Sequence, residues 1–308
     1  MTAGPERFHG WNRRAPSGRT AYVNGRYVPH AQAHVHIEDR GLQFADAIYE
    51  VWRVARGHLL DEAEHFDRMD RSLRELDICL PMARAALSFV VRELLRRNKV
   101  DEGLVYLQIT RGTARRDHAA PNHLLRPNVI LTARRLNTAI ADKRHDEGVH
   151  VITRPDQRWA RCDIKSTALL PNVLAKTAAR NAGAFEAWLV DREGRVTEGS
   201  STTAWIVDRE GRIVTPGLSN AILPGVTRQV VLRAAADTQL TVVERFFNIQ
   251  EACSARECFL TAATLGVIPV TTLDGRTIGD GKPGPVTRRV QELYSHETLL
   301  KAESPDSL

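Results

Sequence analysis

The chain has 308 residues, 43% of them apolar and 26% charged, which is ordinary for a globular protein and enough to bury one large core or two moderate ones. Its formal charge of +6 comes from 43 basic residues interspersed with 37 acidic ones, the pattern of a solvated surface and not of a nucleic-acid-binding face. No run approaches the roughly 18 apolar residues a membrane-spanning helix needs, so neither nucleic acid nor membrane is an expected partner and a cytoplasmic location is expected.

Residues 1–19, with Arg13, Arg14 and Arg19, read as a flexible basic arm. A hairpin follows over 21–28, because Asn24-Gly25 supplies the positive φ angles of a two-residue turn. His34 and His36 alternate as on a strand face and lack a third ligand at metal-binding spacing, which argues against metal hydrolysis. From Asp61 the apolar residues Phe66, Met69, Leu73 and Leu76 recur at helical spacing; Leu87, Val90, Val91, Leu94 and Leu95 mark a second helix. Apolar strands are expected at 103–110 and 128–132, completing a small α/β layer domain over 20–135. The hydrophobic pattern then lapses, and 136–142 reads as an interdomain linker to a larger domain over 143–308.

That second domain opens with a strand at 149–153 and a helix over about 169–181 stopped by Gly183. Asp191-Arg192-Glu193-Gly194 and Asp208-Arg209-Glu210-Gly211 repeat one turn chemistry between strand-like flanks, which predicts successive hairpins. Helices over 226–236 and 286–294 and a strand over 257–261 complete the pattern of an α+β protein. The four cysteines form no CxxC pair and read as reduced structural thiols.

Three segments carry chemistry. Arg161-Cys162-Asp163-Ile164-Lys165-Ser166 places a lysine between a strand and a helix, where desolvation or cationic neighbours help an amine lose its proton. Val196-Thr197-Glu198-Gly199-Ser200-Ser201-Thr202-Thr203 offers a carboxylate beside hydroxyl groups. Leu223-Pro224-Gly225-Val226-Thr227-Arg228 delivers a turn into a helix whose free N–H groups make a ready phosphate site.

In that order and spacing, these motifs resemble the fold-type IV pyridoxal-phosphate enzymes, the class of branched-chain aminotransferase, D-amino acid aminotransferase and aminodeoxychorismate lyase. The likeness runs from about Ala21 to Tyr294 and extends to Tyr49-Glu50-Val51 and His65-Phe66-Asp67-Arg68. It implies a two-domain α+β fold, a small mixed domain followed by a strand-rich pseudo-barrel, and pyridoxal 5'-phosphate as cofactor. It further implies that Lys165 is the Schiff-base lysine and proton carrier, that Glu198 pairs with the pyridine nitrogen, and that Arg68 and Thr227 hold the phosphate. Ser201, Thr202, Leu223, Val226, Ala263 and Thr264 fall at the remaining cofactor-contacting positions.

Within the class, Arg116 and His118, two residues apart, with Tyr49, look like the substrate-carboxylate set of the D-amino acid aminotransferases, where the loop that bears the first two reaches across a homodimer interface. A guanidinium, an imidazole and a phenol together can donate several hydrogen bonds to one carboxylate. Trp159-Ala160-Arg161 agrees. The implied reaction is amino-group transfer between D-amino acids and 2-oxo acids; a branched-chain or (R)-amine transaminase would lack the full set. The chain departs from the pattern at Thr261-Ala262-Ala263-Thr264, where small hydroxyl residues are expected, leaving backbone N–H groups and Thr264 to serve.

Overall fold

The structure is a computed structural model that describes residues 18–121, 123–238 and 240–303. Most of the basic arm lies outside the described residues; Arg19 at its end donates to the Ala133 carbonyl at 2.9 Å.

All strands up to Arg135 form one sheet and all strands from Val149 onward form another. The first contains β1 (Thr20–Val23), β2 (Arg26–Pro29), β3 (Ala47–Ala55), β4 (His58–Leu59), β5 (Gly103–Thr110) and β6 (Asn128–Arg135), in the antiparallel order β2-β1-β6-β5-β3-β4. Asn24 and Gly25, at φ 48° and 90°, make the expected hairpin turn. A short helix, α1 (Arg40–Phe44), precedes β3; two longer ones, α2 (Glu62–Glu75) and α3 (Arg84–Asn98), cover the sheet. Their apolar stripes, Phe66, Met69 and Leu73 on α2 and Leu87, Val91 and Leu94 on α3, pack with Trp52, Val105, Leu107 and Leu131 into one core. Each such side chain contributes about 1.5–3 kcal/mol by leaving water.

The second sheet has ten strands: β7 (Val149–Pro155), β8 (Glu186–Val190), β9 (Arg195–Gly199), β10 (Thr203–Val207), β11 (Ile213–Thr215), β12 (Val242–Glu244), β13 (Phe247–Asn248), β14 (Glu257–Ala262), β15 (Gly266–Leu273) and β16 (Arg276–Thr277). The order is β12-β11-β10-β14-β15-β7-β8-β9-β13, with β16 beside β15. Only Arg245 and Phe246 separate β12 from β13, the strands at opposite ends of that order, so the sheet must curl until its edges approach each other. Trp188, Val196, Ile206, Phe247 and Ile268 lie in the core this curl encloses. The two repeated turns are built alike: Asp191 accepts from the N–H groups of Glu193 and Arg195, and Asp208 from those of Glu210 and Arg212.

Helices α5 (Leu170–Asn181), α6 (Val226–Ala236), a short α7 (Ile249–Ser254) and α8 (Pro285–Glu303) surround the second sheet. No helix among the described residues is long and apolar enough to cross a membrane. The stretch read as an interdomain linker, 136–142, runs into a helix, α4 (Thr138–Glu147). It buries no side chain, so it carries no apolar periodicity; Arg288 of α8 holds its end through the His145 and Asp146 carbonyls, both at 2.8 Å. His34 and His36 lie in an irregular segment and not on a strand, and no group of three metal-ligating side chains gathers among the described residues.

Candidate active site

Lys165 sits in the irregular segment between β7 and α5, and its backbone is pinned on two sides. Toward β3, the Tyr49 N–H donates to the Lys165 carbonyl and the Thr167 N–H to the Ala47 carbonyl, each at 3.0 Å. Toward α2, the Lys165 N–H donates to the Ser72 hydroxyl at 3.3 Å. The side chain lines a cavity of about 310 Å³ between the two sheets. Its Nζ lies 4.2 Å from the centroid of the Tyr49 ring, which stacks on Tyr106.

Across the cavity, the end of β9 presents Glu198, only 5% exposed. One carboxylate oxygen pairs with Arg158; the other accepts the Leu223 N–H at 3.0 Å. Burial pushes the Glu198 carboxyl up to about 7 even though Arg158 and the Leu223 N–H favour its charge. Arg158 is buried as well, yet Asp156, at 2.7 Å, and Glu198 hold its guanidinium above the ordinary range. Gly199 follows because a Cβ there would come within 2.1 Å of the Thr202 hydroxyl, whose oxygen is buried with no hydrogen-bond partner among the described residues.

At one end of the cavity α6 begins without a side-chain cap: its N-cap is Gly225, so the first-turn N–H groups stay open to a ligand. Arg68, 8% exposed, reaches the same end and donates to the Pro224 carbonyl at 3.2 Å. Its Nε and Nη2 form a fork on the fully buried Glu50, at 2.8 and 2.7 Å. Burial alone would raise the Glu50 carboxyl, but Arg68 and His65 hold it well below the usual carboxylate range. Burial lowers the His65 imidazole below its ordinary range, against the opposing pull of Glu50, whose carboxylate lies 2.7 Å from its Nδ1.

The structure brings Tyr49, Arg68, Lys165, Glu198, Ser201, Thr202, Leu223, Val226, Thr227, Ala263 and Thr264 to the walls of this one cavity. It does not bring Arg116 or His118 there. Both are exposed on the loop after β5, gathered about Phe44, with the Arg116 guanidinium 5.2 Å and the tilted His118 ring 5.4 Å from that ring. Arg40 fixes this loop by donating to the carbonyls of Asp117 at 2.7 Å and His118 at 3.2 Å. The expected carboxylate set is therefore not assembled within a single chain.

Sequence reasoning passed over Arg158 and the Glu50–His65 pair. Glu50 did leave a signal: it occupies an inward position of β3, where burial alternates along the strand, and an acidic residue in that phase needs a cation. Arg158 had none beyond standing next to Trp159.

A family model described as amino-transferase class IV matches residues 47–273. The chain is 41% identical over 276 residues to a D-alanine aminotransferase of Bacillus licheniformis, covering 90% of this chain and 96% of that protein. It is 38% identical over 274 residues to the D-alanine aminotransferase of Staphylococcus haemolyticus, covering 89% and 96%. The fold superposes on the Escherichia coli branched-chain amino acid aminotransferase with a TM-score of 0.85 at 22% identity, covering 94% and 97%. It superposes on the branched-chain amino acid aminotransferase of Thermoproteus uzoniensis with norvaline with a TM-score of 0.79 at 25% identity, covering 92% and 96%. By the extent of the family match and the identity shared with these relatives, the chain belongs to the class IV aminotransferases.

Proposed function

We propose that the protein is a pyridoxal 5'-phosphate-dependent D-amino acid transaminase that moves amino groups between D-amino acids, such as D-alanine and D-glutamate, and 2-oxo acids, such as pyruvate and 2-oxoglutarate. The observation that carries this reading is one cavity in which a lysine amine, a buried acid and an uncapped helix N-terminus beside a buried arginine face one another. The D-alanine aminotransferases among its relatives, matched over nearly their full length, favour the D series.

The residues present fit the cofactor. The first-turn N–H groups of α6, Thr227 and Arg68 would hold the phosphate, and the unpaired Thr202 hydroxyl has a donor to give in the same cavity. Glu198 would face the pyridine nitrogen, with Arg158 and Leu223 fixing the carboxylate's orientation. When bound, pyridoxal phosphate supplies an electron sink for the charge left on the substrate α-carbon. Lys165 Nζ takes the α-proton and returns it at the other end of the transfer, on the side of the cavity where the Tyr49 ring holds the amine. With its negative charge, Glu198 would stabilise a protonated pyridine nitrogen. Ser201, Leu223, Val226, Ala263 and Thr264 shape the walls and limit water.

The Tyr49 hydroxyl takes one part of the substrate carboxylate. Arg116 and His118 would supply the rest from a second copy, since their own loop leaves both exposed away from the cavity. A homodimer is the assembly this reading requires. Beside the cavity, α5 exposes Leu170, Val173 and Leu174 on one face, an apolar stripe suited to a partner chain.

The purified protein should convert D-alanine and 2-oxoglutarate into equal amounts of pyruvate and D-glutamate, measured by chiral chromatography. Turnover of L-leucine with no turnover of D-alanine would overturn the stereochemical part of the proposal.

A further inference from the structure

Helix α2 has two working faces. Phe66, Met69 and Leu73 bury into the first core, while Glu64, Arg68, Arg71, Ser72 and Glu75, spaced at i, i+4, i+7, i+8 and i+11, share a second face. Every residue of that second face contacts the second half of the chain. Glu64 pairs with Arg233 of α6 at 2.8 Å, and Arg68 donates to the Pro224 carbonyl. Arg71 donates from Nη1 to the Asp163 carbonyl at 2.8 Å and from Nη2 to the Asp163 carboxylate at 2.6 Å. Ser72 accepts the Lys165 N–H, and Glu75 pairs with Arg161 at 2.5 Å. Arg161 closes the set on Asp163, with its Nε 3.0 Å and its Nη2 3.1 Å from the two carboxylate oxygens.

Asp163 is thus buried and bound through both its backbone and its side chain, two residues before Lys165. Its N–H donates to the Asn220 carbonyl at 3.2 Å, and burial notwithstanding, Arg161 and Arg71 hold its carboxyl below the ordinary range. Arg71 does not line the cavity that holds Lys165 and cannot touch substrate there. It borders a separate crevice of about 490 Å³ with Asp163, Asn220 and Pro224.

We propose that Arg71, acting through Asp163, is a positioning residue for the transamination step: it fixes the peptide that carries Lys165, so that Nζ is held where the α-proton must be taken. This inference rests on the reading of Lys165 as the proton carrier. A planar guanidinium can grip a carbonyl and a carboxylate of one residue at once, which a lysine ammonium does less well. Because a misplacement of about 1 Å can cost about a hundredfold in rate, a loosened shelf should be felt in turnover more than in binding.

The test uses the full-length enzyme and the variants Arg71→Ala, Arg71→Lys, Asp163→Asn and the double variant Arg71→Ala/Asp163→Asn. Arg233→Ala, which cuts the Glu64 ion pair of the same helix face at a residue that does not line the Lys165 cavity, serves as control. Arg71→Ala and Asp163→Asn should each lower kcat for D-alanine by about tenfold or more, with KM and cofactor affinity within about twofold. Arg71→Lys should recover part of the loss, and the double variant should be no worse than the worse single one. The pH at which the cofactor's visible band titrates should shift in the same variants and not in Arg233→Ala.

A readout free of the cofactor is the rate at which acetic anhydride labels Lys165 in the apoprotein, followed by mass spectrometry against pH; this profile should shift with Arg71→Ala. Wild-type kcat and band titration in Arg71→Ala would overturn the proposal, as would an equal loss in Arg233→Ala, which would mean helix docking alone. If the wild-type protein itself gave no band and no response to D-alanine, the functional reading would fail, and an unchanged labelling profile would then overturn the positioning role separately.

Discussion

Glu198 combines two pressures that the cofactor is expected to resolve. In the apoprotein, burial raises its carboxyl from 4.5 to about 7, so the folded state keeps a proton that the unfolded state sheds across that window. A group with a raised folded value adds stability fully below about pH 4.5 and loses it as pH rises toward 7. Glu198→Gln keeps the shape and cannot titrate. The stability of the wild-type apoprotein minus that of the variant, from urea melts, should therefore fall between pH 4.5 and 7. A pH-independent difference would show that folding does not raise this carboxyl above its ordinary value. Glu50 is the opposite case: it is a fully buried carboxylate kept charged by Arg68. Arg68→Ala should therefore destabilise the apoprotein by about 3–5 kcal/mol, read by denaturant melts, because it strands that charge in addition to weakening cofactor binding. At this scale the sequence was legible where residue type and motif order coincide, as at Lys165, Glu198 and Arg68, all of which reach one cavity. It was not legible where a partner comes from elsewhere in the chain. Nothing local marks Arg158 as the buried cation beside Glu198, 40 residues downstream.

Among the elements, α2 shows how one amphipathic helix serves packing and chemistry together. Its apolar stripe was readable from the 3.6-residue period, because Met69 and Leu73 must meet the sheet. Its second, polar face was not, since charged residues on a helix are ordinarily solvated and their partners lie beyond position 160. Leu73→Ala on the buried side should cost about 2–5 kcal/mol, whereas Phe89→Ala on the exposed side of α3 should stay within about 0.5 kcal/mol. Thermal or chemical melts of the two variants check the contrast, and equal losses would mean that the core is not where the stripe puts it. Helix α4 was missed for the converse reason. It buries nothing, so hydrophobic periodicity had nothing to report, and it is held by backbone carbonyls accepting from Arg288. The histidines at 34 and 36 mark the limit of two-residue alternation as a strand signal: two such positions without paired neighbours do not make a ladder.

For the whole molecule, two sheets meet around one cavity, and that cavity is lined by Lys165, Glu198, Arg68 and Tyr49 but not by Arg116 or His118. Both halves were legible as blocks of helix and strand pattern, yet the register that curls the second sheet depends on pairings such as β7 with β15, over 110 residues apart, which no local pattern encodes. If the carboxylate set is completed by a partner chain, two inactive variants should repair each other. Lys165→Ala mixed with the double variant Arg116→Ala/His118→Ala under exchange conditions should recover about a quarter of wild-type activity, because half the dimers are mixed and each carries one intact site. No recovery in demonstrably mixed dimers would place the whole site within one chain. The central claim, that Lys165 in this cavity carries pyridoxal phosphate for D-amino acid transamination, is tested most directly by the half-reaction in a spectrophotometer. The purified enzyme should show a visible cofactor band that disappears on adding D-alanine and persists with L-leucine, and Lys165→Ala should not transfer the amino group. Loss of the band with L-leucine alone, or the absence of any band in cofactor-saturated protein, would contradict the account.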